Sequence, residues 1–318
     1  MKLFLEKYNQ NTVFLLFVGI LAALFFSFTF ALNRANSLDG ISWYWAASIR
    51  YVFTVLFLSI FIIVFNGFKY YKSVINEFFS NLKFWLIAGT IGFGFFYFLL
   101  CYSADYSPGW IIATTWQITI ICSLFVLWIF GQKLSKKIWI YSVLIFSGVT
   151  LVNFSHFDFD NLDAFILGFF PVLIAAFCYP FGNQLVWEKK KKRIEKGENL
   201  DILNNGLVKA FLLVLGSTPL WIVLFFFAEK APVTVYQVSN IAIISLFSGV
   251  FATSLFLYAR NKANTSTKIM VVDSAQSLEV IFTLFAEVIF LSGLFPNSIG
   301  IIGIAVTFTG LYFLVKSD

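Results

Sequence analysis

The stretch VVDSAQSLEVIFTLFAEVIF, residues 271–290, is apolar over a length that can cross a bilayer, yet it holds Asp273, Gln276, Glu279 and Glu287. An acid at the centre of a membrane helix costs on the order of 3 kcal/mol on insertion scales. Such a group pairs with a cation, binds one, or exchanges a proton. At about 100° per residue, Asp273, Val280 and Glu287 share a face because they are seven apart. Gln276 lies between the directions of Asp273 and Glu279, so the polar sector runs Asp273, Gln276, Glu279, with Glu287 extending it. That sector must face protein or a water-filled cavity, since lipid cannot solvate it.

Counting from Lys268 at ~1.5 Å per residue, Asp273 is shallow, Glu279 is near mid-depth and Glu287 lies toward the opposite side. Arg50 and Lys209 also fall inside apolar stretches and could answer these acids. One reading is that the charges neutralise one another and fix helix packing. The other leaves at least one acid to titrate or to bind a cation. Glu279 is the strongest candidate for that role, with Asp273 and Glu287 beside it, because it is deepest and has no obvious partner in the local sequence.

Other groups could line a substrate cavity. In PGWIIATTWQITIICS, Pro108 suits a first helical turn, while Trp116 and Gln117 fall near mid-depth, where an aromatic belt does not explain them. Trp116 could stack on a flat or cationic ligand, or simply pack. FCYPFGN combines Pro180, Gly182 and Asn183, and a proline there could unwind the helix beside a cavity or simply kink an ordinarily packed helix. Cys101, Cys122 and Cys178 lack CxxC spacing and read as small buried apolar residues. His156 is the single histidine and lies in a loop, which leaves no His-based metal site or triad. No phosphate-cradling glycine loop occurs, and no cofactor is expected.

The elements that position these residues follow from composition. Of 318 residues, 60% are hydrophobic, 12% are charged and 43 are Phe, with a mean hydropathy of +0.87. A soluble domain carries about 25% charged residues, so lipid must be the solvent. A spanning helix needs ~20 apolar residues, and ten segments qualify: 12–32, 42–65, 84–103, 108–130, 137–154, 163–187, 204–228, 240–259, 269–291 and 297–315. The runs are continuous rather than alternating, which excludes a β-barrel. The first run is longer than a signal core and is expected to be retained. Assigning alternate loops to two sides puts 18 Lys and Arg on one side and only Arg34 and Lys230 on the other. Both termini are therefore expected in the cytoplasm of a multi-pass cell-membrane protein.

The run EKKKKRIEKGE, 188–198, reads as a topology anchor on a cytoplasmic loop, 188–203, rather than as a nucleic-acid patch. In YYKSVINEFFSNLKFW, 70–85, the four-residue spacing of Tyr70, Val74, Phe78 and Leu82 predicts a short helix in the membrane interface.

Five spans are used twice. AALFFSFTF (22–30) corresponds to AAFCYPFGN (175–183), SIRYVF (48–53) to LVKAFL (207–212), and GFGFFYFLLCY (92–102) to GVFATSLFLYA (249–259). Gln117 then falls opposite Gln276, and Gly148 opposite Gly310, with offsets of 153 to 162. An odd number of spans turns the second copy over. The expected fold is all-α, ten transmembrane helices in two inverted five-helix repeats, residues 1–155 and 156–318.

Three stretches carry a resemblance to a known family: YSADYSPGWIIATTWQITI (102–120), GQKLSKKIWIYSVLIFSGV (131–149) and SAQSLEVIFTLFAEVIFLSGLFPNSIGIIGIAVTFTG (274–310). Together they resemble the drug/metabolite transporter superfamily in its ten-span, EamA-like form, and most of all the multidrug resistance efflux transporters. The resemblance implies a cytoplasmic-membrane exporter of small molecules driven by a proton or other ion gradient. Small four-span relatives carry a coupling Glu in their first helix, whereas span one here has no acid. The usual Gly-Glu at the end of span four reads Gly131-Gln132. Any carboxylate coupling therefore moves to span nine.

The expected function is a secondary transporter that exports small amphipathic or drug-like molecules by alternating access, coupled to protons or another ion. Its partners are the substrate, the coupling ion and the bilayer, with a homodimer left open and no nucleic acid. An alternative makes Arg50 and Lys209 a binding site for a carboxylate or phosphate, and the substrate an amino acid or other anionic metabolite. A membrane enzyme or lipid-handling scaffold is the least favoured reading. The acids have no catalytic spacing, nucleophile or metal set beside them.

Overall fold

The structure is a computed structural model that describes residues 11–131, 136–155, 162–198, 201–228, 232–262, 271–272 and 275–316. Helices account for nearly all of these residues, and no strand occurs among them. The helices are α1 (Thr12–Leu38), α2 (Trp43–Asn66), α3 (Phe68–Ser80), α4 (Leu82–Ser103), α5 (Gly109–Ile129), α6 (Lys136–Ser155), α7 (Leu162–Ile194), α8 (Gly206–Phe225), α9 (Val235–Ala259), α10 (Glu279–Phe290) and α11 (Ser298–Lys316). Seven stretches, lying in α1, α2, α4, α5, α7, α8 and α9, are long and apolar enough to cross a membrane. The apolar parts Trp139–Ser155 of α6 and Ser298–Phe313 of α11 are shorter, and α10 is a 12-residue helix entered through a 3₁₀ turn at Gln276–Leu278. Large apolar side chains such as Val52, Val64, Phe226 and Ile289 point outward. Outward-facing apolar residues on helices this long fit a multi-pass membrane protein.

Charge and small residues decide the packing. α3 is the short helix expected at the interface, and Val74 and Phe78 bury against Leu58 and Ile62 of α2. Its Glu77 accepts from Arg193 at the end of α7, Nη1 to Oε1 at 2.6 Å and Nη2 to Oε2 at 3.1 Å, and from Trp85 Nε1 at 3.3 Å. α4 crosses α7 where Gly92 meets Gly182. A Cβ on Gly92 would lie 2.7 Å from the Gly182 Cα, so neither position admits a side chain. α6 and α11 pack along their lengths. Their contacts are reciprocal: Gly148 of α6 faces Thr307 of α11, and Gly310 of α11 faces Ile145 of α6.

Two helices widen into π-helical segments, Thr90–Phe95 in α4 and Ser245–Ala252 in α9. The sequence alignment of 92–102 with 249–259 is a shift of 157 residues, and that shift carries the first segment into the second. π-turns are rare and are found frequently at functional sites.

Of the two readings of Pro180, an unwound helix or a kinked but ordinarily packed one, the unwinding does not occur. α7 runs unbroken through Pro171 and Pro180, and Asn183 turns its amide back to the Tyr179 carbonyl at 2.9 Å. A proline costs one intrahelical hydrogen bond, and α4 packs closely over this part of the helix. The interruptions fall elsewhere, at Gln117 in α5, at Ser217 in α8, and in the 3₁₀ turn at Gln276 that leads into α10.

Candidate functional site

α10 packs against α1 and α5, which brings both of its acids into the protein. Glu279 opens α10 and is 5% exposed, and Glu287, two turns on, is 3% exposed. The polar sector expected for span nine therefore faces inward at both positions. Gln276 is half-buried in the preceding 3₁₀ turn, and Asp273 lies outside the described residues.

Glu279 has a partner the local sequence did not offer. Gln117 Nε2 donates to Glu279 Oε1 at 2.8 Å and also lies 3.2 Å from the Ala113 carbonyl. Gln117 occupies the junction where α5 is interrupted. That junction sets the amide at the depth of the carboxylate. Among the described residues no cation lies within ion-pair distance of Glu279. Its carboxylate is thus met by one neutral donor. An amide N–H donates to a carboxylate oxygen or to the carbonyl oxygen of a carboxylic acid, so this bond survives either protonation state.

Glu287 is held differently. Its Oε1 accepts from the Gly109 N–H at 2.6 Å and its Oε2 from the Trp110 N–H at 3.2 Å. These are the first donors of α5, at the positive end of its dipole. Pro108 has no N–H and precedes the first helical residue, so the donors on offer begin at Gly109. A Cβ on Gly109 would lie 2.7 Å from the Phe30 carbonyl and 2.9 Å from Glu287 Oε1, so glycine makes room for the anion. Arg34, whose Nη1 donates to the Ala104 carbonyl at 2.7 Å, is near enough to act on the Glu287 charge.

Trp116 stands next to the Gln117–Glu279 pair in the chain. Its half-buried ring lies 5.0 Å from Phe96 and 5.7 Å from Tyr179, centroid to centroid, and Phe93 lies 5.8 Å from Tyr179. Aromatic faces from α4, α5 and α7 therefore meet one residue along α5 from Gln117. Tyr179 and Asn183 share the stretch that Pro180 marked, so this segment contributes a ring rather than an unwound backbone.

Among the described residues Arg50 pairs with neither Glu279 nor Glu287, although one reading expected it to answer the span-nine acids. It is 9% exposed, its guanidinium carbon sits 3.9 Å from the Tyr97 ring centroid, and Nη2 lies 3.3 Å from Ser248 Oγ. Lys209 is half-buried in the first turn of α8. The sequence signals for the Arg50 surroundings were weak. Ser248 and Tyr97 are ordinary membrane-helix residues until the packing of α2, α4 and α9 brings them together. The mechanical cause of Glu287 burial was legible only as Pro108 and Gly109, read as a helix start and not as an anion clamp.

Residues 13–318 match the model of the EmrE family, described as "Putative multidrug resistance efflux transporter". A relative from Bacillus subtilis (strain 168), "Uncharacterized protein YjlA", is 33% identical over 311 residues, covering 92% of each chain. A second, from Shouchella clausii, "Uncharacterized 42.1 kDa protein in intracellular alkaline protease 3'region", is 33% identical over 261 residues, 77% of this chain and 64% of its own length. A crystal structure of a protein 12% identical superposes with a TM-score of 0.62 over 95% of this chain and 96% of that one, a likeness of fold. An all-helical membrane architecture, and a family match that runs from the first span to the last residue, agree with the resemblance carried by 102–120, 131–149 and 274–310: the chain belongs to the EmrE family.

Proposed function

We propose that this protein is a secondary active exporter of small amphipathic or drug-like molecules. It works by alternating access, with Glu279 as the group that takes up and releases the coupling proton. The observation that carries the reading is the buried Glu279 carboxylate, met by the neutral Gln117 amide and by no cation among the described residues. A charge so held is costly in a membrane interior. Neutralising it with a proton or cation breaks no ion pair. The rings of Trp116, Phe96 and Tyr179, one residue along α5 from Gln117, would receive an apolar or aromatic substrate body.

Alternating access in this reading comes from ten spans arranged as two inverted five-helix repeats, residues 1–155 and 156–318. The 157-residue shift between the π-segments and the reciprocal contacts of α6 with α11 favour it. So does the packing of α1 on α9, which has its counterpart in α7 on α4. Spans one to four and six to nine would line the path. The 18-to-2 basic asymmetry favours a cell-membrane location with both termini in the cytoplasm.

The test is efflux of a panel of fluorescent aromatic compounds from proteoliposomes under an imposed pH gradient, with proton movement followed at the same time. Substrate-linked proton flux is expected in the wild type and absent in Glu279→Gln. No such flux in either protein removes the proton antiport.

A further inference from the structure

Arg50 is a buried cation without a carboxylate partner. Among the described residues no acid lies within ion-pair distance of it, and its Nη1 is buried with no hydrogen-bond partner. Removing an uncompensated charge from water costs several kcal/mol or more. The Tyr97 ring and the Ser248 hydroxyl repay part of that and leave the Nη1 edge unsatisfied.

More unsatisfied groups lie toward the end of the bundle marked by Asp39. Tyr97 donates to Asn33 Oδ1 at 3.0 Å, and Asn36, three residues on and on the same face of α1, is fully buried with neither polar atom bonded. Across from it, Gln237 of α9 donates to the Asp39 carbonyl at 3.1 Å. One turn into α9 from Gln237, Asn240 has a buried Nδ2 with no partner. Ser245, at the start of the π-segment, lies 3.1 Å from the Arg50 carbonyl. Arg50, Asn36 and Asn240 thus stand on three mutually packed helices, α2, α1 and α9, whose shared seam forms a file. Buried polar groups in native proteins are nearly always bonded, so three such groups along one file point to a ligand that bonds them.

We propose that this file is a binding subsite for the carboxylate of a small organic acid, with the Arg50 Nη1 edge as its anion-binding group and the Asn36 and Asn240 amides as its hydrogen-bonding walls. Arg presents parallel N–H donors that match a carboxylate. The amides supply both donors and acceptors, which suits a group carrying further polar atoms. Arg50 lies beside Tyr97 and Tyr51 in one apolar cluster with Ile112 and Trp221, so the rest of the molecule is apolar or aromatic. The inference deepens the exporter reading by giving its amphipathic substrate a negative group. Binding itself does not depend on Glu279.

The test uses the full chain in lipid nanodiscs and calorimetric titration with phenylacetate, its neutral isostere phenylacetamide, and inorganic phosphate. Phenylacetate is expected to bind more than about tenfold tighter than the amide, as a charge-assisted hydrogen bond requires. The preference is expected to vanish in Arg50→Gln and to survive in part in Arg50→Lys, whose retained charge controls for folding. Glu279→Gln is expected to keep the preference while losing coupled transport, which separates a failed subsite from a failed antiport. Equal binding of acid and amide, no binding of either, an acid preference unchanged in Arg50→Gln, or displacement by equimolar phosphate would each overturn the carboxylate assignment.

Discussion

Glu279 and Glu287 stand on one helix, two turns apart, equally hidden from solvent, and they are held in opposite ways. At Glu287 the protein brings compensation: two backbone donors, a helix N-terminus and the Arg34 charge. At Glu279 it brings one neutral amide. The difference shows that burial of an acid is not by itself a functional signal. A clamped carboxylate joins α10 to α5 as a structural tie. A carboxylate left with a single neutral donor can be neutralised without breaking an ion pair, and that is what the proposed coupling role needs.

The comparison breaks most visibly at Glu287. Glu287→Leu leaves the Gly109 and Trp110 N–H groups buried without an acceptor, and the expected loss is about 3 kcal/mol of stability from two charge-assisted bonds. Glu279→Gln retains an acceptor for Gln117 and is expected to change stability by less than about 1 kcal/mol, while abolishing proton-coupled efflux. Thermal unfolding in detergent of the two variants side by side checks the contrast. Equal destabilisation would erase the distinction between tie and coupling group.

Gly109→Ala probes the same tie from the other helix. A Cβ would press on the Phe30 carbonyl and the Glu287 carboxylate together. Overpacking against backbone costs about 2 kcal/mol. The same melting assay should rank it between Glu287→Leu and Glu279→Gln.

How much of this contrast could be read in advance depends on sequence distance. The inward polar sector of span nine was legible because Glu279 and Glu287 sit at helical spacing in an otherwise apolar run. The Gln117 partner was not, because 162 residues separate it from Glu279 and only packing joins them. The short helix α3 was legible from the spacing of Val74 and Phe78, whereas the Glu77–Arg193 ion pair that docks it, 116 residues apart, was not. Pro180 left two readings open, an unwound helix or an ordinarily packed one, and nothing local to it showed that Gly182, two residues on, meets Gly92 of α4 in a continuous helix. Arg50 and Lys209 were visible as membrane cations, but a sequence carries no geometry to say that Arg50 would choose Tyr97 and Ser248 over an acid.

Arg34 sharpens the comparison through coupling. If it helps to compensate Glu287, Arg34→Gln should cost about 1 kcal/mol in the wild type, and much less in a Glu287→Leu background. A double-mutant cycle by thermal unfolding measures that difference directly. Additive effects would mean that Arg34 acts only through its bond to the Ala104 carbonyl, leaving the two backbone donors as the whole of the clamp.

A small stability effect is also expected at Gln117, and it is the most discriminating. Gln117→Leu removes the one donor that meets Glu279 but leaves α5 free to keep its shape through Thr114 and the backbone. Losing a single hydrogen bond to a group that can become neutral should cost about 1 kcal/mol or less. The consequence should appear instead in transport: Glu279 would lose the hydrogen bond that Gln117 gives it, and the pH profile of efflux should shift while maximal binding stays the same. A pH profile of efflux that overlays the wild type would mean that the amide does not touch the working carboxylate. Glu279 would then share with Glu287 the role of a tie rather than differ from it.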